Sequence, residues 1–306
     1  MKKYMILFLL AAILMGCEEA SQEKNTEKKD VEENVKQQAT TNGNLPVYVL
    51  SDEFGEKFLL MANFGDETTP TTPDSLSNYK YILYNGIYHP VTFKGFQLED
   101  KENNTSRETF QNFDNLSGWL YVMQSGKLIE TPSDDLDAIW DAPLLVDETF
   151  KAENTIYTLS NFKDGRLVHS NLSEPLKAAF EKKYDRQILS SWCNAVFGEN
   201  NEYQFVNIQF KNKGNEALGV SALVKNEEII AVIEAPAEWN EESVWRVDDG
   251  GDFAGLSIDF VTSKNGVMTI YTANGGAEGT NYQSYVLEGN QFHEGPISGE
   301  FYQAPY

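Results

Sequence analysis

At 306 residues with 41% hydrophobic side chains, the chain is long enough for one large domain or two ordinary ones. Its 47 acidic against 24 basic side chains leave a formal net charge of −23, a field that repels phosphate backbones and anionic headgroups and argues against nucleic acid as a partner. Two cysteines, Cys17 and Cys193, are too few for a disulfide framework, so the fold must stand on its core.

The chain begins with Lys2 and Lys3 and an unbroken apolar run from Tyr4 to Met15. A helix that spans a bilayer needs about 20 apolar residues, so residues 1–16 read as an export signal rather than a span. "LMGCEEA" follows at residues 14 to 20. Leu14, Gly16 and Cys17 match the positions of a lipobox, with Met15 where a small or β-branched residue is usual, and the stretch resembles the signal of bacterial lipoproteins. That resemblance implies that the Cys17 sulfur receives a diacylglycerol, that residues 1–16 are removed, and that Cys17 becomes the first residue and the membrane anchor. Glu18 and Glu19 directly after it are similar to surface-export signals of Bacteroidota lipoproteins. Losing Lys2 and Lys3 would take the net charge to −25, so contact with the membrane is expected through the lipid and not through the protein surface.

Beyond Cys17, the residues up to Asn44 hold only Ala20, Val31, Val35 and Ala39 as apolar side chains. Such a stretch buries too little surface to offset the entropy of ordering, so 17–44 reads as a lipidated cysteine plus a disordered tether, spanning roughly 30 Å as a flexible coil.

Residues 45–306 read as a β-rich body, mainly β in an α+β mixture. Runs of Val, Ile, Tyr and Phe are joined by turn pairs that predict antiparallel hairpins at Asn85-Gly86 and Asn265-Gly266, with further hairpins at Ser125-Gly126 and across Lys225 to Glu228. "SEPLKAAFEKKY" predicts a helix over about 173–185, with Ser173 as N-cap, Pro175 in the first turn, and Leu176, Ala179, Phe180 and Tyr184 on one face. The next stretch, 186–198, fits helix or strand, and a short helix is expected over Ser133 to Trp140. "ANFGDETT" at 62–69 matches "ANGGAEGT" at 273–280, and "YILYNGIYH" at 81–89 matches "YVLEGNQFH" at 285–293. The pair of matches suits two related halves, about 45–170 and 200–306, or β-propeller-like repeats.

No HExxH, P-loop or GxSxG pattern is present, so the usual signatures of zinc proteases, nucleotide hydrolases and α/β-hydrolases are missing. His89 and His293 occupy equivalent places in the suspected repeat, as do Glu67 and Glu278, which points to packing; His169 stands apart from both other histidines. Cys193 sits among apolar neighbours and reads as a small buried hydrophobe. "TANGGAEGTNY" lacks the following helix and the lysine of a phosphate cradle and reads as a loop of variable conformation. Asp248, Asp249 and Asp252 around Gly250-Gly251 are the densest acidic cluster beside a glycine turn. They are candidate Ca2+ ligands or, in pairs, the carboxylates of a glycan-directed hydrolase, against the plainer reading of a solvated turn. Asp74-Ser75-Leu76 resembles the O-glycosylation sequon of Bacteroidota, with Ser75 as acceptor. Trp119, Trp140, Trp192, Trp239 and Trp245 suit either a β core or a stacking surface. The expectation is a lipid-anchored protein of the bacterial cell envelope, at the outer membrane with the periplasmic or surface side open, with a binding or accessory role toward envelope proteins or glycans. Its rivals are a hydrolase using residues 248–252 and a structural lipoprotein without a small ligand; no cofactor is required by either.

Overall fold

The computed structural model describes residues 44–62, 72–129, 142–163, 166–246, 249–276 and 278–303. Outside them lie the signal segment 1–16, Cys17, the tether except Asn44, Glu67, Asp248 and the helix expected over Ser133 to Trp140. The chain divides between Thr41 and Asn42, and every described residue belongs to the second unit.

β1 (Val47–Tyr48), β2 (Leu50–Ser51), β3 (Lys57–Met61), β4 (Tyr79–Tyr84), β5 (Ile87–Gln97), β6 (Gly118–Met123) and β7 (Leu144–Asp147) form one sheet in the order β1-β7-β4-β5-β6-β3-β2. All of its pairings are antiparallel. Its two ends are the same piece of chain: only Val49 separates β1 from β2, and the Val49 N–H donates to the Pro143 carbonyl at 3.1 Å. The sheet therefore closes into a barrel, which removes the edges at which stray strands pair.

Alternation along each strand then sorts the side chains. Val47, Val49, Phe58, Ile82, Tyr121 and Leu145 fill the interior. Tyr48, Leu50, Leu59, Leu83, Leu144 and Val146 point outward and are also buried. The interior phenols end on backbone carbonyls, Tyr121 donating to Leu76 at 2.9 Å and Tyr79 to Leu45 at 2.7 Å, and burial raises the pKa of both. Tyr121→Phe leaves the Leu76 carbonyl without this donor in a buried setting, so urea unfolding should show a loss of about 1 kcal/mol.

After β7 come α1 (Glu148–Glu153), β8 (Thr155–Tyr157), the small hairpin β9 (Phe162–Lys163) and β10 (Arg166–Leu167), and α2 (Glu174–Tyr184). α2 is the helix the sequence predicts. Ser173 accepts from the Leu176 N–H, Pro175 lies in the first turn, and Asp185 ends it in the left-handed conformation. β11 (Ile188–Phe197), β12 (Tyr203–Phe210), β13 (Glu216–Lys225) and β14 (Glu228–Glu238) make a four-stranded antiparallel meander. β15 (Ser257–Lys264), β16 (Val267–Gly275), β17 (Gly279–Glu288) and β18 (Gln291–Tyr302) continue as a second meander, with β8 added beside β15.

The layers stack in a fixed order. Leu176 and Phe180 of α2 pack on Val206, Ile208, Phe210 and Val220 of the four-stranded sheet. The opposite face of that sheet, through Ala195, Phe197, Phe205 and Leu223, meets Ile258, Val261, Met268 and Ile270 of the five-stranded sheet. The far face of the five-stranded sheet presents Phe260, Tyr271, Tyr282, Ile297 and Phe301 to the outside of the barrel. Both faces of the five-stranded sheet are thus covered over much of their area.

Several expectations change in detail. The hairpins at Asn85-Gly86 and Asn265-Gly266 form, with φ of 48° and 74° and of 53° and 80°. Asn226 and Glu227, at φ 50° and 67°, join β13 to β14. Ser125-Gly126 joins no hairpin: β6 pairs with β3 and β5, and the chain after it is tied instead by the N–H groups of Leu128 and Ile129 to the Phe54 carbonyl. Residues 188–197 are strand. The matched hairpins share their register, Ile82 opposite His89 and Val286 opposite His293. However, β17 pairs with the strand before it, whereas β4 pairs with β5 and β7 and not with β3. The sheets are a closed barrel and stacked layers, not propeller blades.

Candidate functional site

Asp249, Gly250, Gly251 and Asp252 lie in a segment, described at 239–246 and 249–256, that is hydrogen-bonded to the four-stranded sheet. The buried Asp249 carboxylate accepts four backbone N–H groups: Val244 at 3.0 Å, Trp245 at 2.7 Å, Arg246 at 2.8 Å and Gly251 at 2.8 Å. Burial alone would raise its pKa, but the four donors outweigh that and hold the carboxyl below the usual aspartate value. Those four bonds occupy the lone-pair directions a cation would need. Asp252 is exposed. Among the described residues no group of three His, Cys, Asp or Glu side chains is placed to hold a metal ion. Asp249 is a loop staple.

The staple serves a strap. Buried amides on the sheet grip the segment: Asn207 donates to the Leu256 carbonyl at 2.9 Å and accepts from the Leu256 N–H at 3.2 Å, while Gln209 donates to the Gly251 carbonyl at 2.6 Å. The Trp245 indole N–H donates to Ala235 at 2.8 Å, and its ring lies 5.2 Å from that of Phe253. The glycines in contact are dictated by space. A Cβ on Gly219 would stand 2.4 Å from the Phe253 ring, and one on Gly251, at φ +83°, 2.2 Å from the Trp239 ring. Three of the five tryptophans are therefore accounted for by packing, since Trp119 is a core residue and Trp239 and Trp245 hold the strap.

The remaining nominated residues are dispersed. His89 lies in β5, its pKa lowered by burial; His169 stacks on Trp192 at 6.4 Å; His293 lies in the β17–β18 hairpin, 4.0 Å from Glu288. Cys193 is buried, its thiol pushed up to about 11 by that burial. Ser75 sits half-buried in a 3-10 turn, Asp74–Asn78, its carbonyl accepting from the Asn44 side chain at 2.6 Å. Most of "TANGGAEGTNY" is strand, the ends of β16 and β17 joined by a tight turn in which the Gly276 N–H donates to Gly279.

A different feature emerges where the two sheets are offset. A groove of about 420 Å³ lies beside Leu256 at the end of the strap and is otherwise lined by β16, β17 and β18. Its floor carries the cross-strand pair Asn274 and Asn281, with Tyr285 further along β17 and Glu294 and Glu300 on β18. The Tyr285 pKa is raised by burial and by the neighbouring Glu294 carboxylate. No Lys, Arg or His is among the described residues lining the groove. Glu294 and Glu300 face Tyr285 and Asn281, so at ~3.3 Å per strand residue their backbones stand roughly 13 Å apart. Sequence reading missed this site because its polar residues alternate along strands as any solvent-facing row does; the clustering of Asn274 and Asn281 beside the glycine turn is the signal that was there to find.

Set against known protein families, characterised proteins and solved structures, the chain matches none of them.

Proposed function

We propose that this chain is a lipid-anchored protein of the bacterial cell envelope, held at the outer membrane through Cys17, with a binding role toward envelope glycans or proteins. The order of a basic start, a short apolar core, Leu14-Met15-Gly16-Cys17 and a polar stretch ahead of a folded body supports the anchor. Binding is favoured over hydrolysis by one observation above the rest: the Asp249 carboxylate is committed to four backbone amides. It is consequently neither a free base nor a free ligand. The groove supplies polar contacts from Asn274, Asn281, Glu294 and Glu300.

Fractionation of cells expressing the wild type and Cys17→Ser tests the anchor. The wild type should sediment with membranes and release only with detergent; the variant should be recovered in the aqueous fraction. Equal membrane association of the two proteins would contradict the proposal.

A further inference from the structure

Resting on the binding reading above, we infer that the groove over β16, β17 and β18 is a site for a neutral oligosaccharide, seated on Asn274 and Asn281 and flanked by Glu294 and Glu300. The chemistry of the lining narrows the ligand by elimination. An anion would meet two carboxylates and no basic side chain among the described lining residues, in a chain of net charge −23. It would be repelled. A single metal ion needs several oxygen ligands within about 2.6 Å, and among the described residues no group of three His, Cys, Asp or Glu side chains is placed to hold one. An apolar ligand would strip water from amides and carboxylates and return no hydrogen bonds.

A polyhydroxylated neutral chain meets none of these penalties. Each hydroxyl both donates and accepts, and so does each carboxamide of Asn274 and Asn281. Glu294 and Glu300 accept hydroxyl protons in the stronger, charge-assisted form. Tyr285 offers an apolar ring and a polar tip, the combination that suits a sugar with a C–H face and hydroxyl edges. The volume of about 420 Å³ lies within the range of roughly 300–1,000 Å³ usual for ligand sites. The polar row from Tyr285 to Asn281 is longer than one sugar ring, which calls for an oligomer. The floor is built on paired strands, Asn274 directly opposite Asn281, so the backbone that carries the contacts is in place before the ligand arrives and ordering is confined to side chains.

The test uses detergent-solubilised full-length protein and calorimetry against cellohexaose, laminarihexaose, mannohexaose and xylohexaose, with oligogalacturonate and hexalysine as charged comparators. At least one neutral hexasaccharide should bind, and Asn274→Ala/Asn281→Ala should weaken it by about tenfold or more, as expected for the loss of hydrogen bonds to a desolvated ligand. Glu300→Gln, at an exposed position, should weaken it in the same direction and serves if the double variant melts early. No binding by any neutral hexasaccharide, binding that these substitutions leave intact, or preference for oligogalacturonate or hexalysine would overturn the inference. Glycan binding by a chain that is not acylated at Cys17 would sink the anchor alone; an acylated chain without glycan binding would sink the groove assignment alone.

Discussion

Asp249→Ala is expected to lower the unfolding free energy by about 2–4 kcal/mol: the Gly251 N–H is buried and those of Val244, Trp245 and Arg246 are part-buried, and an N–H left without its acceptor costs ~1–3 kcal/mol where water cannot reach it and less where it can. Four N–H groups lose their acceptor at once. Asp249→Asn should fare little better, because one side of the amide would turn N–H groups toward donors that now point at a carboxylate oxygen. The loss carries a pH signature. The folded-state pKa of Asp249 is depressed, so its contribution is present in full above the unfolded value of about 3.9 and is lost as pH falls through the folded value. The stability gap between wild type and Asp249→Ala should therefore be widest near neutral pH and close as the medium is acidified. Asp252→Asn, on an exposed side chain, should leave the melting temperature unchanged, and millimolar calcium should not raise it. A calcium-dependent rise abolished by Asp249→Ala would restore the metal reading.

Phe58→Ala and Leu59→Ala should both be severe, about 3–5 kcal/mol for the phenylalanine and about 2–5 kcal/mol for the leucine. An ordinary sheet with one wet face would tolerate one of two adjacent strand residues. β3 has two adjacent core residues: Phe58 and Leu59 are each 0% exposed, the first inside the barrel and the second outside it, in the cluster that holds Leu50, Phe113 and Leu116. Lys57→Ala on the same strand supplies the contrast. Its ion pair with Asp114, at 3.2 Å, is largely exposed, and its removal should cost under about 1 kcal/mol. Denaturant titrations of the three variants read the result directly, and a mild Leu59→Ala would mean that the outer face of the barrel at β3 is not buried as described.

What the sequence disclosed follows how local each signal is. The Asn85-Gly86 and Asn265-Gly266 turns and the Ser173 cap are decided within a few residues, and they form as read. Residues 188–197 were ambiguous for a reason the strand itself explains. β11 has register shifts at Leu189 and Asn194, and each resets the alternation. Ile188, Cys193 and Val196 face α2 while Ala195 and Phe197 face the other sheet, a spacing that imitates a helical stripe. Barrel closure was not legible because it joins residues 47–51 to β3 on one side and to residues near 145 on the other, pairings that no local pattern encodes. The Asp249 cluster was conspicuous as charge, but the direction of a carboxylate is a tertiary fact. The groove was hidden for the converse reason, because its residues come from three strands and look like a solvated face in each.

The proposed function rests on a membrane anchor at Cys17 carrying a folded body with a binding role. Mass spectrometry of the amino-terminal peptide from membrane-extracted protein tests that anchor most directly. The account predicts a peptide beginning at Cys17 with a diacylglyceryl group on its sulfur; a peptide containing unmodified Cys17, or one beginning further along the chain, would contradict it.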